Sequence, residues 1–201
     1  MLPCALREAV MGVFTGRLVH PFMLRPGEID ILDIAHSQSQ ACRFGGHTMT
    51  FYSNAQHACE VSYLVRHWGE STLTQILALF HDSDEAYFYD ISAPVKIFFP
   101  AYRRAGWRAR QAVYRYFTGS EPTPEQERVI KMADLVMTAT EGRALMRGWE
   151  KWPKVAGIEP LPKWRGPISM KAAEKEFLDT YERLQVEWES ERRQEMSSCA
   201  V

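Results

Sequence analysis

The chain has 201 residues, 46% hydrophobic and 24% charged, with a formal net charge of -1. That length buries a real core without staples, and the balanced charge excludes a protein that coats a nucleic-acid polymer through bulk electrostatics. Cys4, Cys42, Cys59 and Cys199 form no C-x-x-C pair, and Arg7 and Glu8 interrupt the first apolar stretch. A zinc ribbon, a disulfide framework, a secretory leader and a membrane span are therefore not expected, and a reduced, cytoplasmic protein is.

Pro and Gly mark loops at 21–27, 45–46, 94–100, 119–124 and 153–167, and the apolar period between them is helical. A short extended piece is expected at Arg17 to Val19, and a first helix from Asp33 toward Cys42. A second opens at Ser53 or Asn54, either able to cap it, and carries Val61, Leu64, Val65 and Trp68 on one face. A third opens near Ser71 or Thr72 and runs through Ile76 to Phe80 as far as about Tyr87, and a fourth spans Tyr102 to Phe117. Thr123-Pro124-Glu125-Gln126 is a capping box with Pro at the first helical position and starts a fifth. The last begins at Ser169, with Ala173, Phe177, Tyr181, Leu184 and Trp188 along one stripe and a charged, fraying end. The expected fold is all-α: a single-domain helical bundle over 1–201, with its motif core at about 29–145 and a C-terminal helix at about 169–195.

Chemistry concentrates at a few inward positions. His81 and Asp82 are adjacent at the end of an apolar run, and Glu85 follows by four and three residues, a spacing that puts all three on one side of a continuous helix. His57 precedes Val61 by four and Leu64 by seven, so it projects from the core stripe of the second helix. Asp134, between Ile130 and Met137, does the same on the fifth. Burying carboxylates beside apolar runs is costly without a cation, and two imidazoles with two carboxylates suit one divalent metal such as manganese, cobalt, iron or zinc. Each residue alone has a plainer reading: a hydrogen-bonded core histidine, or an Asp134 paired with Lys131.

The segment Leu79-Phe80-His81-Asp82-Ser83-Asp84-Glu85, followed by Asp90-Ile91-Ser92-Ala93-Pro94-Val95-Lys96, resembles the HD-domain phosphohydrolase superfamily. More narrowly the chain resembles the YfbR-like 5'-deoxynucleotidases and the phage-encoded relatives that hydrolyse dATP. Cys42-Arg43-Phe44-Gly45-Gly46-His47-Thr48 and Phe51-Tyr52-Ser53-Asn54-Ala55-Gln56-His57 match the opening block of the second group. The resemblance covers roughly Ile29 to Leu145. It implies an HD-type bundle in which His57, His81, Asp82 and Asp134 are metal ligands. Glu85 and Asp90 then handle the attacking water and proton transfer. Arg43 and Lys96 fall near phosphate contacts, Phe44 where an aromatic ring flanks the sugar or base, and His47 at the pocket edge. Arg43 stands one residue closer to His57 than in the bacterial monophosphatases, which loosens its assignment.

The function this implies is hydrolysis of a small-molecule nucleotide: a dATP-type triphosphohydrolase releasing deoxynucleoside and triphosphate, with magnesium able to accompany the substrate phosphates. The alternatives are a 5'-deoxynucleotidase acting on monophosphates and a non-catalytic nucleotide-sensing module. A helical oxygenase on the same scaffold would need two irons and more inward histidines than this chain offers. No membrane or nucleic-acid partner is expected; a homo-oligomer is, with the Ala173 to Trp188 stripe serving either the chain's own core or a dimer. Trp149, Trp152 and Trp164, set among prolines, are expected to cover the core or an interface.

Overall fold

The computed structural model describes residues 9–198. Cys4, Arg7, Glu8 and Cys199 lie outside them. The fold is all-α: α1 (Ile31–Gln40), α2 (Asn54–His67), α3 (Thr72–Leu79), α4 (Glu85–Phe88), α5 (Ala93–Lys96), α6 (Pro100–Thr118), α7 (Pro124–Leu145) and α8 (Met170–Ser198). No described helix is long and apolar enough to cross a membrane.

The extended piece expected near residue 18 is one strand of a two-residue hairpin, in which Met11–Gly12 pairs antiparallel with Leu18–Val19. Its turn is tied to α1 by Thr15, whose backbone N–H and hydroxyl donate to the two Asp33 oxygens at 2.7 and 3.0 Å. The caps follow the expected chemistry. Ser53 Oγ accepts from Gln56 N–H, Ser71 Oγ from Thr74 N–H, and Thr123 and Gln126 form the reciprocal box.

Helix α2 is central and packs against α1, α3, α7 and α8. Eleven of its fourteen residues are buried, among them the polar Asn54, Gln56, His57 and Glu60. Such a helix is stable only if most of those groups find partners: Gln56 donates to Glu60 at 2.8 Å and to the Gly166 carbonyl at 2.9 Å, and its own carbonyl accepts from Ile168 N–H. The α8 stripe folds onto the chain's own core, where Ala173, Phe177 and Leu184 are fully buried. Phe80 seals the junction, stacked on Phe117 with ring centroids 4.6 Å apart and edged by Phe177 and Tyr181. Trp164 packs edge-on against Tyr52 and donates to Glu60, so it closes the core.

One helix differs from expectation. The third does not continue to Tyr87: α3 stops at Leu79, residues 80–84 turn, and α4 starts afresh at Glu85. Tertiary hydrogen bonds take the carbonyls a longer helix would have used. Arg110 Nη1 donates to the His81 carbonyl at 2.8 Å and Gln38 Nε2 to the Asp82 carbonyl at 2.7 Å. Gly106 lets α6 approach this turn, since a Cβ there would lie 2.6 Å from Asp84 Oδ2. The segment read as loop at 94–100 also contains a helical turn, α5.

Candidate metal centre

Three elements deliver the inward polar groups. His57 comes from the first turn of α2, Asp134 from the middle of α7, and His81 and Asp82 from the turn after α3. His57 Nε2 lies 3.2 Å from His81 Nε2 and 3.4 Å from Asp134 Oδ1, and His81 Nε2 lies 3.2 Å from Asp82 Oδ2. Ligand atoms of His57, His81 and Asp82 all fall within 4.8 Å of one another.

The imidazole tautomers follow from their outer hydrogen bonds. His57 Nδ1 is 2.6 Å from Glu141 Oε1, and His81 Nδ1 is 2.8 Å from the Ala78 carbonyl. Both partners accept, so both Nδ1 atoms donate and Nε2 of each ring faces the centre. At His57 that nitrogen donates to Asp134 when the ring is protonated and offers a lone pair when it is neutral. Two imidazole lone pairs and two carboxylates aimed at one point repel unless a positive charge sits among them. Bonds of about 2.1 Å to a divalent ion set neighbouring ligand atoms roughly 3.0 to 3.4 Å apart, which matches the His57–His81, His57–Asp134 and His81–Asp82 separations. The residues fit a metal, and a carboxylate behind the ligand histidine is the usual support for one.

Glu141 organises the buried side of the centre. It is fully buried, accepts from the Tyr52 hydroxyl at 2.9 Å and from Arg43 Nε at 3.1 Å, and lies seven residues after Asp134 on the same helix. Burial opposes its charge, but His57 and Arg43 outweigh that cost and hold its carboxyl below the usual range. Asp134 is likewise held well below it, against burial, chiefly by the His57 hydrogen bond and Lys154. Its second oxygen accepts from Lys131 at 2.7 Å, so the plain ion pair and the inward role coexist on different oxygens.

Arg43 is buried in the turn Arg43–Gly46 and its terminal nitrogens face the centre, 3.6 Å from Asp82 and 4.0 Å from Asp134. Those separations exceed hydrogen-bond length, so the guanidinium keeps donors to spare. Phe44, next to it, holds a left-handed backbone at φ 55°. Its ring packs against Trp152 with Arg43 above it, and His47 is exposed on the same turn. Neither lines the cavity of about 850 Å³ that opens beside His81, Asp82 and Asp134 between α6 and α7, whose walls include Trp107, Gln111 and Tyr114.

Glu85 is buried and clamped, accepting from Asn54 Nδ2 at 2.9 Å and from Lys96 Nζ at 2.7 Å. Burial first, then Asp82 and Asp90, push its carboxyl well above the ordinary range, with Lys96 only partly offsetting them. Asp90 lies 4.0 Å from Lys96 Nζ. Thus Arg43, His57, His81, Asp82 and Asp134 form one contact group, with Phe44 and His47 at its edge. Glu85, Lys96 and Asp90 form a second, coupled to the first through the Asp82 charge. Sequence reasoning passed over Glu141, Tyr52, Asn54 and Arg110. The heptad interval from Asp134 to Glu141 was the available signal for the first.

Fold and site together define an all-helical protein in which His57, His81 and Asp82 form a group able to hold a metal ion, with Asp134 against His57. The chain is 40% identical over 146 residues to the uncharacterized protein YfdR of Escherichia coli (strain K12), a match spanning 72% of this chain and 78% of that protein, and it belongs to the YfdR family. No family model matches the chain.

Proposed function

We propose that this chain is a metal-dependent phosphohydrolase of the HD type that cleaves a phosphate ester of a deoxynucleotide, with a dATP-type triphosphate as the first substrate to test. The observation that carries this reading is the convergence of His57 Nε2, His81 Nε2 and Asp134 Oδ1 within 3.4 Å of a neighbour, with both imidazoles oriented from behind. His57, His81, Asp82 and Asp134 would hold one divalent ion: manganese, cobalt, zinc or iron. Bound there, such an ion neutralises charge on phosphoryl oxygens and lowers the pKa of water toward about 7.

The chain's own groups supply the rest. Glu85, fixed by Asn54 and Lys96, orients the attacking water and takes its proton; a carboxyl with a raised pKa exchanges protons closer to neutrality than an ordinary one. Asp90 shares Lys96 with Glu85 and can pass that proton onward. Arg43, held by Glu141 through Nε, offers its two terminal nitrogens as a fork to the phosphate. Trp107 and Tyr114 in the adjoining cavity suit stacking on a base.

The test is a panel of the mono- and triphosphates of all four deoxynucleosides, incubated with several divalent metals, with products identified. Release of deoxynucleoside and intact triphosphate supports the leading reading. Release of orthophosphate from monophosphates alone moves the protein to the 5'-deoxynucleotidases. No turnover with any metal sinks the proposal.

A further inference from the structure

A second recess adjoins the proposed centre and differs from the first in charge. It holds about 440 Å³ beside the N-terminal half of α6, and its described lining includes Lys96, Arg103, Arg104 and Arg110 against one carboxylate, Asp84. The larger cavity is balanced instead, with Asp82, Glu127 and Asp134 facing Arg110, Arg128 and Lys131. Trp107 and Arg110 line both, so the two spaces share a wall.

The cations of the small recess are graded from inside to outside. Arg110 is anchored at the inner end, 2.8 Å from the His81 carbonyl and 3.6 Å from Asp84. Lys96 is anchored by Glu85. Arg103 and Arg104 are exposed at the mouth and carry no ion pair among the described residues. A single phosphate held at the centre by Arg43 would leave this outer pair unused. Lys96 is offset by Glu85 and Asp90, and Arg110 by Asp84, so the excess positive charge sits on Arg103 and Arg104. Two adjacent cations without ion-pair partners among the described residues attract a multiply charged anion, and guanidinium forks match phosphoryl oxygens.

We propose that this recess is an anion subsite for the phosphates that are not attacked, so that the substrate carries a polyphosphate chain running from the metal centre past Arg110 to Arg103 and Arg104. This rests on the phosphohydrolase reading for its catalytic meaning, while the anion site itself is testable alone. Arg110 marks the boundary between the reacting phosphate and the tail, and Trp107 separates the tail from the nucleoside.

The experiment is calorimetric titration of the purified protein with inorganic tripolyphosphate and, separately, orthophosphate, repeated on the double variant Arg103→Ala/Arg104→Ala. Both arginines are exposed, so folding is spared, and chelation of metal by tripolyphosphate is common to both proteins and cancels in the comparison. Tripolyphosphate should bind the wild type at least about tenfold more tightly than orthophosphate, and the double variant should lose roughly that factor, about 1.4 kcal/mol, with orthophosphate binding unchanged. Equal binding of the two anions, or no change in the variant, overturns the inference. A short single-stranded oligonucleotide that displaces tripolyphosphate at equal charge concentration also overturns it, because the arginines would then be reading a nucleic-acid backbone. Hydrolysis in the deoxynucleotide panel together with indistinguishable anion binding leaves the phosphohydrolase standing and removes the recess. Arginine-dependent tripolyphosphate binding without hydrolysis under any metal does the reverse.

Discussion

The two sides of the centre are built by different means. On the His57 side every group is buried, and Glu141 alone engages His57, Arg43 and Tyr52 from α2 and the turn before it. On the Glu85 side the polar groups hang on a surface segment. Tyr89 holds φ at 61° with its side chain exposed, and Ile97, Phe98 and Phe99 face solvent beyond Lys96. A non-glycine residue in that region costs about 1–3 kcal/mol, which the Tyr102 hydroxyl offsets by donating to the carbonyls of Phe88 and Tyr89. The difference teaches that, on the proposed reading, grip and chemistry are separable: the His57 side is fixed by core packing, whereas the buried Glu85 carboxyl is held in part by Lys96, which lies on the exposed segment.

That separation can be broken from either side. The largest effect is expected at Glu85→Gln, which should lower turnover by about 10²–10⁴-fold while metal content, read by elemental analysis, stays at the wild-type level. Loss of metal instead would make Glu85 a ligand and erase the contrast. Glu141→Gln should act oppositely, weakening metal affinity by about 10–100-fold with Glu85 untouched; unchanged affinity would mean that His57 needs no support. Adding manganese or cobalt to chelator-treated protein at about 100 times its dissociation constant should stabilise it by about 2.7 kcal/mol, seen as a raised Tm. Asp134→Asn should show far less of that gain.

The smallest effect tests the packing behind the His57 side. Burial pushes the Glu60 carboxyl above its ordinary pKa, with hydrogen bonds from Trp164, Gln56 and Arg165 partly opposing it. A raised folded-state pKa contributes stability that is complete below the unfolded value of about 4.3 and is lost as pH rises through the folded value. Denaturation midpoints measured across that window should therefore fall with pH more steeply in the wild type than in Glu60→Gln. Parallel profiles would show that Glu60 is ionised without penalty.

Much of this was legible from local chemistry. Ser53, Ser71 and the Thr123–Gln126 box start their helices as expected, because a cap is decided by a few neighbouring atoms. His57 and Asp134 were legible as inward from the helical period, and both are buried. The stop at Leu79 was not, because the groups that end α3, Gln38 and Arg110, come from other helices. His81 and Asp82 still meet, through a turn rather than a helix face, while Glu85 opens the next helix and is held by Asn54 and Lys96. Asn54 was read as a possible cap; Ser53 takes that task, which frees the Asn54 amide to hold Glu85. The crowding at Gly106 and the cationic recess depend on how α6 docks, and no run of residues announces that.

The Arg43 guanidinium has a consequence for the order of events in a cell. Lying 3.6 and 4.0 Å from Asp82 and Asp134, it already tempers their mutual repulsion. The folded chain therefore carries its own counter-charge beside these carboxylates. If the proposed metal binds there, its uptake would be a late, exchangeable step, and which ion fills the centre would be set by supply at that moment rather than by what was at hand during folding.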